Sequence, residues 1–104
     1  MPANERVTKL RTMLEKSPGD AFLLYALAME LKKSDATEAL ELLHRVTQLD
    51  PRQCYAYFQI GQTHEAAGDI AAAKAAYHNG LAAAEKYGDA HAKQEIAGAL
   101  QMIE

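Results

Sequence analysis

Pro18 and Pro51 lie 33 residues apart, and the same interval carries Leu27 to Ile60, Ala28 to Gly61 and Leu31 to His64. Further along, the interval becomes 34, relating Ala39 to Ala73, Leu43 to Tyr77 and Val46 to Gly80. One loop residue accounts for the change, because Lys33-Ser34-Asp35 stands against Ala66-Ala67-Gly68-Asp69. A fixed period of this length implies stacked supersecondary units, each burying its apolar side only against its neighbours.

The units are helical. Leu10, Met13 and Leu14 recur at helical spacing, as do Leu24, Leu27, Ala28 and Leu31, and then Leu40, Leu43 and Val46. Ser17-Pro18-Gly19-Asp20 and Asp50-Pro51-Arg52-Gln53 predict helix starts with proline at the first helical position. Asp35 with Glu38 forms a capping box, and Asp69 and Asp89 follow Gly68 and Gly88 as caps after a helix end. No stretch alternates as a strand does. Asn79-Gly80 sits in AAAKAAYHNGLAAAEK, whose alanines keep it helical. Six helices are expected, over about 4–16, 19–33, 36–49, 52–67, 70–86 and 90–103.

These residues resemble the tetratricopeptide repeat, in the manner of its small bacterial-type members. One unit supplies Leu24, Leu27-Ala28, Leu31, Ala39, Leu43, Val46 and Pro51; the next supplies Tyr57, Ile60-Gly61, His64, Ala73, Tyr77 and Gly80. The resemblance implies an all-α solenoid of antiparallel helix pairs forming a single domain over 1–104. It divides into a half repeat (4–18), full repeats (19–51 and 52–86) and a capping helix (89–104). Leu10, Met13, Leu14 and Pro18 match the second helix of a preceding unit, and Ile96-Ala97 with Leu100 the first helix of a following one. Val46, His64 and Glu85 depart from the pattern, standing where a small residue, an apolar residue and a proline are usual. Ala28, Ala39, Gly61, Ala73, Pro18 and Pro51 are assigned to packing. Gly61 is expected opposite Ala73 or Ala39, and His64 at a seam with one polar contact.

Composition narrows the function. A net charge of −3 and a pI near 5.8 provide no basic field for nucleic acid. The start MPANERVTKL has no apolar core of a signal peptide, and no apolar run suits a membrane span, so a soluble cytoplasmic protein is expected. The single Cys54 excludes an internal disulfide or a CxxC motif and reads as a small apolar filler. His64-Glu65 lacks the second histidine of HExxH, and His44, His64, His78 and His91 share no ligand spacing, although His91 and Glu95 are four apart. No catalytic, cofactor or metal site is expected.

What remains is a surface. In proteins of the resembled family, one stripe of each first helix lines a concave face that holds ligands. Carried over, that stripe comprises Phe22, Tyr25, Met29 and Lys32, then Tyr55, Phe58, Gln59, Gln62 and Glu65, then His91, Gln94 and Gln101. Aromatic rings at matching places suit an extended peptide or a helix of another protein. The carboxylate clamp of some family members would fall at Met29, Gln59, Tyr55 and Gln94, none of which is a cation or asparagine. The expected function is therefore a non-catalytic adaptor. The alternative is self-assembly, as a homodimer or larger scaffold, through Leu10 and Leu14 or Ile96, Leu100 and Ile103 on the terminal helices.

Overall fold

A computed structural model describes residues 2–104, with side chains from Glu5 onward. Six helices follow in order: α1 (Pro2–Lys16), α2 (Ala21–Leu31), α3 (Ala36–Leu49), α4 (Cys54–Ala66), α5 (Ile70–Tyr87) and α6 (Ala90–Ile103). The described residues contain no strand. Each helix packs chiefly on its neighbours in sequence, and α4 also touches α6. The molecule measures 38 × 29 × 18 Å, a slab about two helices thick. Asn79 and Gly80 lie inside α5, as the alanine-rich context demands.

Aspartates start four of the helices. The side chains of Asp20, Asp35, Asp69 and Asp89 accept from the amides of Leu23, Glu38, Ala72 and Ala92, occupying donors that no helical turn could reach. The two proline segments behave differently from expectation. They are turns, and α2 and α4 begin three residues beyond the prolines. The Asp20 amide bonds to the Ser17 carbonyl and the Gln53 amide to the Asp50 carbonyl, each closing a four-residue turn with proline second. Asp50 ends α3 instead of starting α4, and Gln53 caps α4 with its backbone alone. Pro18 and Pro51 are exposed, so their contribution is turn geometry and not core packing.

Leu24, Leu27, Ala28, Leu31, Ala39, Leu42, Leu43 and Val46 form the first core cluster, which Ala56 and Ile60 of α4 complete. Cys54, Ala73, Tyr77, Ala84, Ala92, Ile96 and Leu100 form the second. The terminal helices turn most of their apolar residues inward, while Met13 and Met102 stay exposed. Leu10 and Leu14 pack, half-buried, against the first cluster and Ile103 against the second, and Ile96 and Leu100 are buried within it. The residues expected to carry self-assembly are thus wholly or partly engaged within the chain. Arg6 and Arg11 fasten α1 further, to Glu30 at 3.2 Å and, through two guanidinium nitrogens, to Glu38 at 2.7 and 2.8 Å. Glu85, at the position where proline was expected, reaches Lys93 of α6 at 2.5 Å.

Gly61 is buried, but its close neighbour is not an alanine. A Cβ added there would lie 2.2 Å from Tyr77 Cε1 and 2.6 Å from Cδ1 and Cζ. The Tyr77 ring therefore presses flush against the α4 backbone. In the preceding unit Ala28 and Leu43 hold the equivalent positions, both fully buried. The second unit has moved volume from the first helix to the second, with a smaller residue on α4 and a larger one on α5. Gly80 does the same for the next seam, where a Cβ would meet Tyr57 Cβ at 2.9 Å and Ile96 Cδ1 at 3.0 Å. His64 is half-buried where Leu31 is buried, and among the described residues its imidazole makes no hydrogen bond in place of the one polar contact expected.

Gly61→Ala should lower the thermal midpoint, with overpacking of about 1–3 kcal/mol exceeding the ~1 kcal/mol gained in helix propensity. Adding Tyr77→Leu should recover part of that loss, because the pair then matches Ala28 and Leu43. Circular-dichroism melts of both single variants and the double variant measure the coupling. Additive effects would show that the ring and the glycine are not interlocked.

Candidate functional site

The first helices of the units, α2, α4 and α6, share one face, and polar and aromatic contacts cross it. Gln59 of α4 bridges back to α2, accepting from Lys32 Nζ at 2.5 Å and donating to the Tyr25 hydroxyl. Tyr55 of α4 reaches forward to α6, its ring 6.3 Å from His91. Within α4, Tyr55 and Phe58 meet edge to face at 6.4 Å. Gln59 on one side and Tyr55 on the other thus link parts of the predicted stripe across α2, α4 and α6.

Its residues differ in availability. Phe22 is 79% exposed and Met29 36%, so α2 offers an open apolar strip. Tyr25, Tyr55 and Phe58 are half-buried and lean on the two core clusters, combining the covering role with a presented edge. Among the described residues no ring pair joins Phe22 or Tyr25 to Tyr55 or Phe58, so the aromatics form two patches with Gln59 between them. His91 and Gln94 are exposed at the α6 edge, where His91 pairs with Glu95 at 3.1 Å; Gln101 is exposed further along. That spacing, compatible with two metal ligands, is used for a surface pair, and no group of three potential metal ligands occurs among the described residues.

One contributor escaped the sequence reading, which gave Tyr77 only as the repeat position matching Leu43. Its ring enters from α5 behind Gly61, and its hydroxyl emerges among the α4 side chains that face the groove. There it donates to Glu65 Oε2 and accepts from Gln62 Nε2 at 3.2 Å, while its ring lies 6.1 Å from Phe58. Gln62 and Glu65 are thus oriented from inside the protein. Burial and the Glu65 carboxylate push the phenol well above its usual range, and burial alone raises Tyr25 more than its Gln59 bond lowers it. The signal for this reach was the glycine at 61 paired with an aromatic at 77.

Cys54 offers no nucleophile. It is 1% exposed, its thiol donates to the Arg52 carbonyl at 3.4 Å, and burial with Asp89 nearby raises its pKa. No helix among the described residues is long and apolar enough to cross a membrane.

No protein-family model matches the sequence. The chain is 34% identical over 96 residues, 91% of each protein, to the TPR repeat-containing protein PA0015 of Pseudomonas aeruginosa. Its fold resembles the solution structure of protein BPP2914 from Bordetella parapertussis, with a TM-score of 0.81 and 28% identity over 93% of this chain and 85% of that one.

Tyr77→Phe should keep the helices while releasing Gln62 and Glu65, at a cost of about 1 kcal/mol. The raised phenol pKa gives a sign for the pH dependence. The neutral phenol is favoured in the folded state, so its contribution is complete below about pH 10 and fades as the pH rises beyond. Alkaline melts of the parent should therefore fall more steeply above that pH than those of Tyr77→Phe. Parallel curves would refute the buried phenol's part.

Proposed function

The chain belongs to the tetratricopeptide-repeat family, and from that premise we propose that it is a non-catalytic adaptor whose α2–α4–α6 face holds a segment of another protein. Repeats of this family serve as protein-interaction modules in general. The observation that favours this face is the open strip on α2. Phe22, with most of its ring in water, stands in line with Tyr25 and Met29 beside the half-buried Tyr55 and Phe58. Covering a phenylalanine side chain contributes about 1.5–3 kcal/mol, and a rigid ring loses little entropy when covered. A docked segment would gain apolar contact at both aromatic patches and meet the polar Gln59, Gln62, Glu65 and Lys32 between and beside them. This arrangement accommodates an extended chain or one face of a helix. Self-assembly through the terminal helices has less support, because the residues that would carry it are packed inward.

Phe22→Ala tests the proposal with little risk to the fold, since an exposed side chain contributes within about 0.5 kcal/mol to stability. Tyr55→Ala probes the second patch. The parent and both variants are immobilised, incubated with native lysate, and their bound proteins quantified side by side. We expect the same partner to be depleted by both substitutions, with Phe22→Ala weakening it roughly 10- to 150-fold. A captured partner that binds folded Phe22→Ala and Tyr55→Ala as well as the parent would sink the proposal.

A further inference from the structure

The cations of the end helices that contact carboxylates are Arg6, Arg11 and Lys93, facing Glu30, Glu38 and Glu85. Lys32 is different. It is half-buried at the end of α2, and its recorded partner is the neutral Gln59 carbonyl. It lines a cleft of about 410 Å³ together with Lys33, Ala36, Gln62, Thr63, Ala66 and Ala67. That cleft holds two cations and no acidic residue, in a chain whose net charge is −3. Its remaining surface is largely methyl groups, which shed water and strengthen an ion pair formed against them.

We infer that this cleft is a subsite for a carboxylate side chain, an aspartate or glutamate of the segment held on the α2–α4–α6 face, with Lys32 and Lys33 as its counter-charges. The inference rests on the groove reading above and adds the chemistry of the partner. Gln59 uses one of the three ammonium donors of Lys32, leaving two for an incoming oxygen. Gln62 gives one amide hydrogen to Tyr77 and keeps the other. Burial and the neighbouring Lys33 both disfavour the Lys32 charge as it stands, a penalty that an incoming carboxylate relieves. Lysines are point charges without the planar fork of arginine, and no asparagine stands beside them. The cleft therefore fits an acidic side chain of a passing segment, with no requirement for a chain terminus.

The test is selection from a random library of 12-residue peptides with amidated C-termini on the parent protein at low salt. Asp or Glu should be enriched at one position relative to an apolar anchor. A selected peptide and its Glu→Gln analogue are then titrated against the parent and against Lys32→Gln/Lys33→Gln, whose fold is checked by its melt. On the parent the acidic peptide should bind about three- to tenfold more tightly, with the difference shrinking as salt rises; on the variant the two should bind alike. An equal preference on both proteins overturns the subsite, as does selection of apolar peptides without acid enrichment, which leaves the groove reading standing. A blank selection overturns both. A preference for a free C-terminus over an internal acid overturns the side-chain assignment.

Discussion

The Tyr77 ring lying flush on the Gly61 backbone is the contact on which the second half of the molecule is built. It sets how near α5 can come to α4, and through that spacing where Tyr57 and Ile96 meet Gly80. A larger residue at 61 would wedge the pair open, and a smaller one at 77 would leave a void the neighbours could not collapse to fill. The interlock also has a polar consequence. Because the ring passes a glycine, its hydroxyl reaches Glu65 and Gln62 and joins a fully packed core residue to the exposed face.

That face carries two kinds of chemistry in one layer. Phe22 and Met29 are apolar and open, while Tyr25, Tyr55 and Phe58 divide their area between core and groove. Among them Gln59, Gln62 and Glu65 are fixed by bonds to neighbours, so their orientation is set before any partner arrives. Fixed polar groups and half-anchored rings lose less entropy on binding than free side chains would. Lys32 is the exception, a cation tied only to an amide oxygen.

Much of this was legible in the residues because the repeat reduces the fold to one unit copied with offsets of 33 and 34. The periodic leucines and alanines, the caps Asp35, Asp69 and Asp89 and the helical Asn79-Gly80 followed from rules of local propensity and helix ends, whereas Asp20, read as the third residue of α2, is its cap. The proline segments misled because Ser-Pro and Asp-Pro satisfy both a helix start and a four-residue turn, and only the backbone bonds Asp20 to Ser17 and Gln53 to Asp50 separate them. The partner of Gly61 was misjudged for a related reason. Spacing identifies which residues share a helix face, but not which side chain of the facing helix fills a given gap. The stripe of candidate residues came from the family resemblance, and the contacts Lys32–Gln59 and Tyr55–His91 link parts of it across α2, α4 and α6. The bridges across it, and the reach of Tyr77, depend on distances between helices that no sequence interval encodes.

In a slab two helices thick, the elements touch mainly their sequence neighbours, and only a few contacts, such as those of α4 with α6, reach further along the chain. Such a chain opens from its ends inward, one helix at a time, instead of as a single block. A segment laid across α2, α4 and α6 would join three elements that are not consecutive in sequence, reinforcing the few links that α4 makes to α2 and α6. Slow exchange of backbone amides with solvent, expected near the α4–α5 interlock in the free protein, would then spread outward along the slab. An occupant of the proposed groove would in this sense be a further layer of the structure, and its binding would also be a late step of folding.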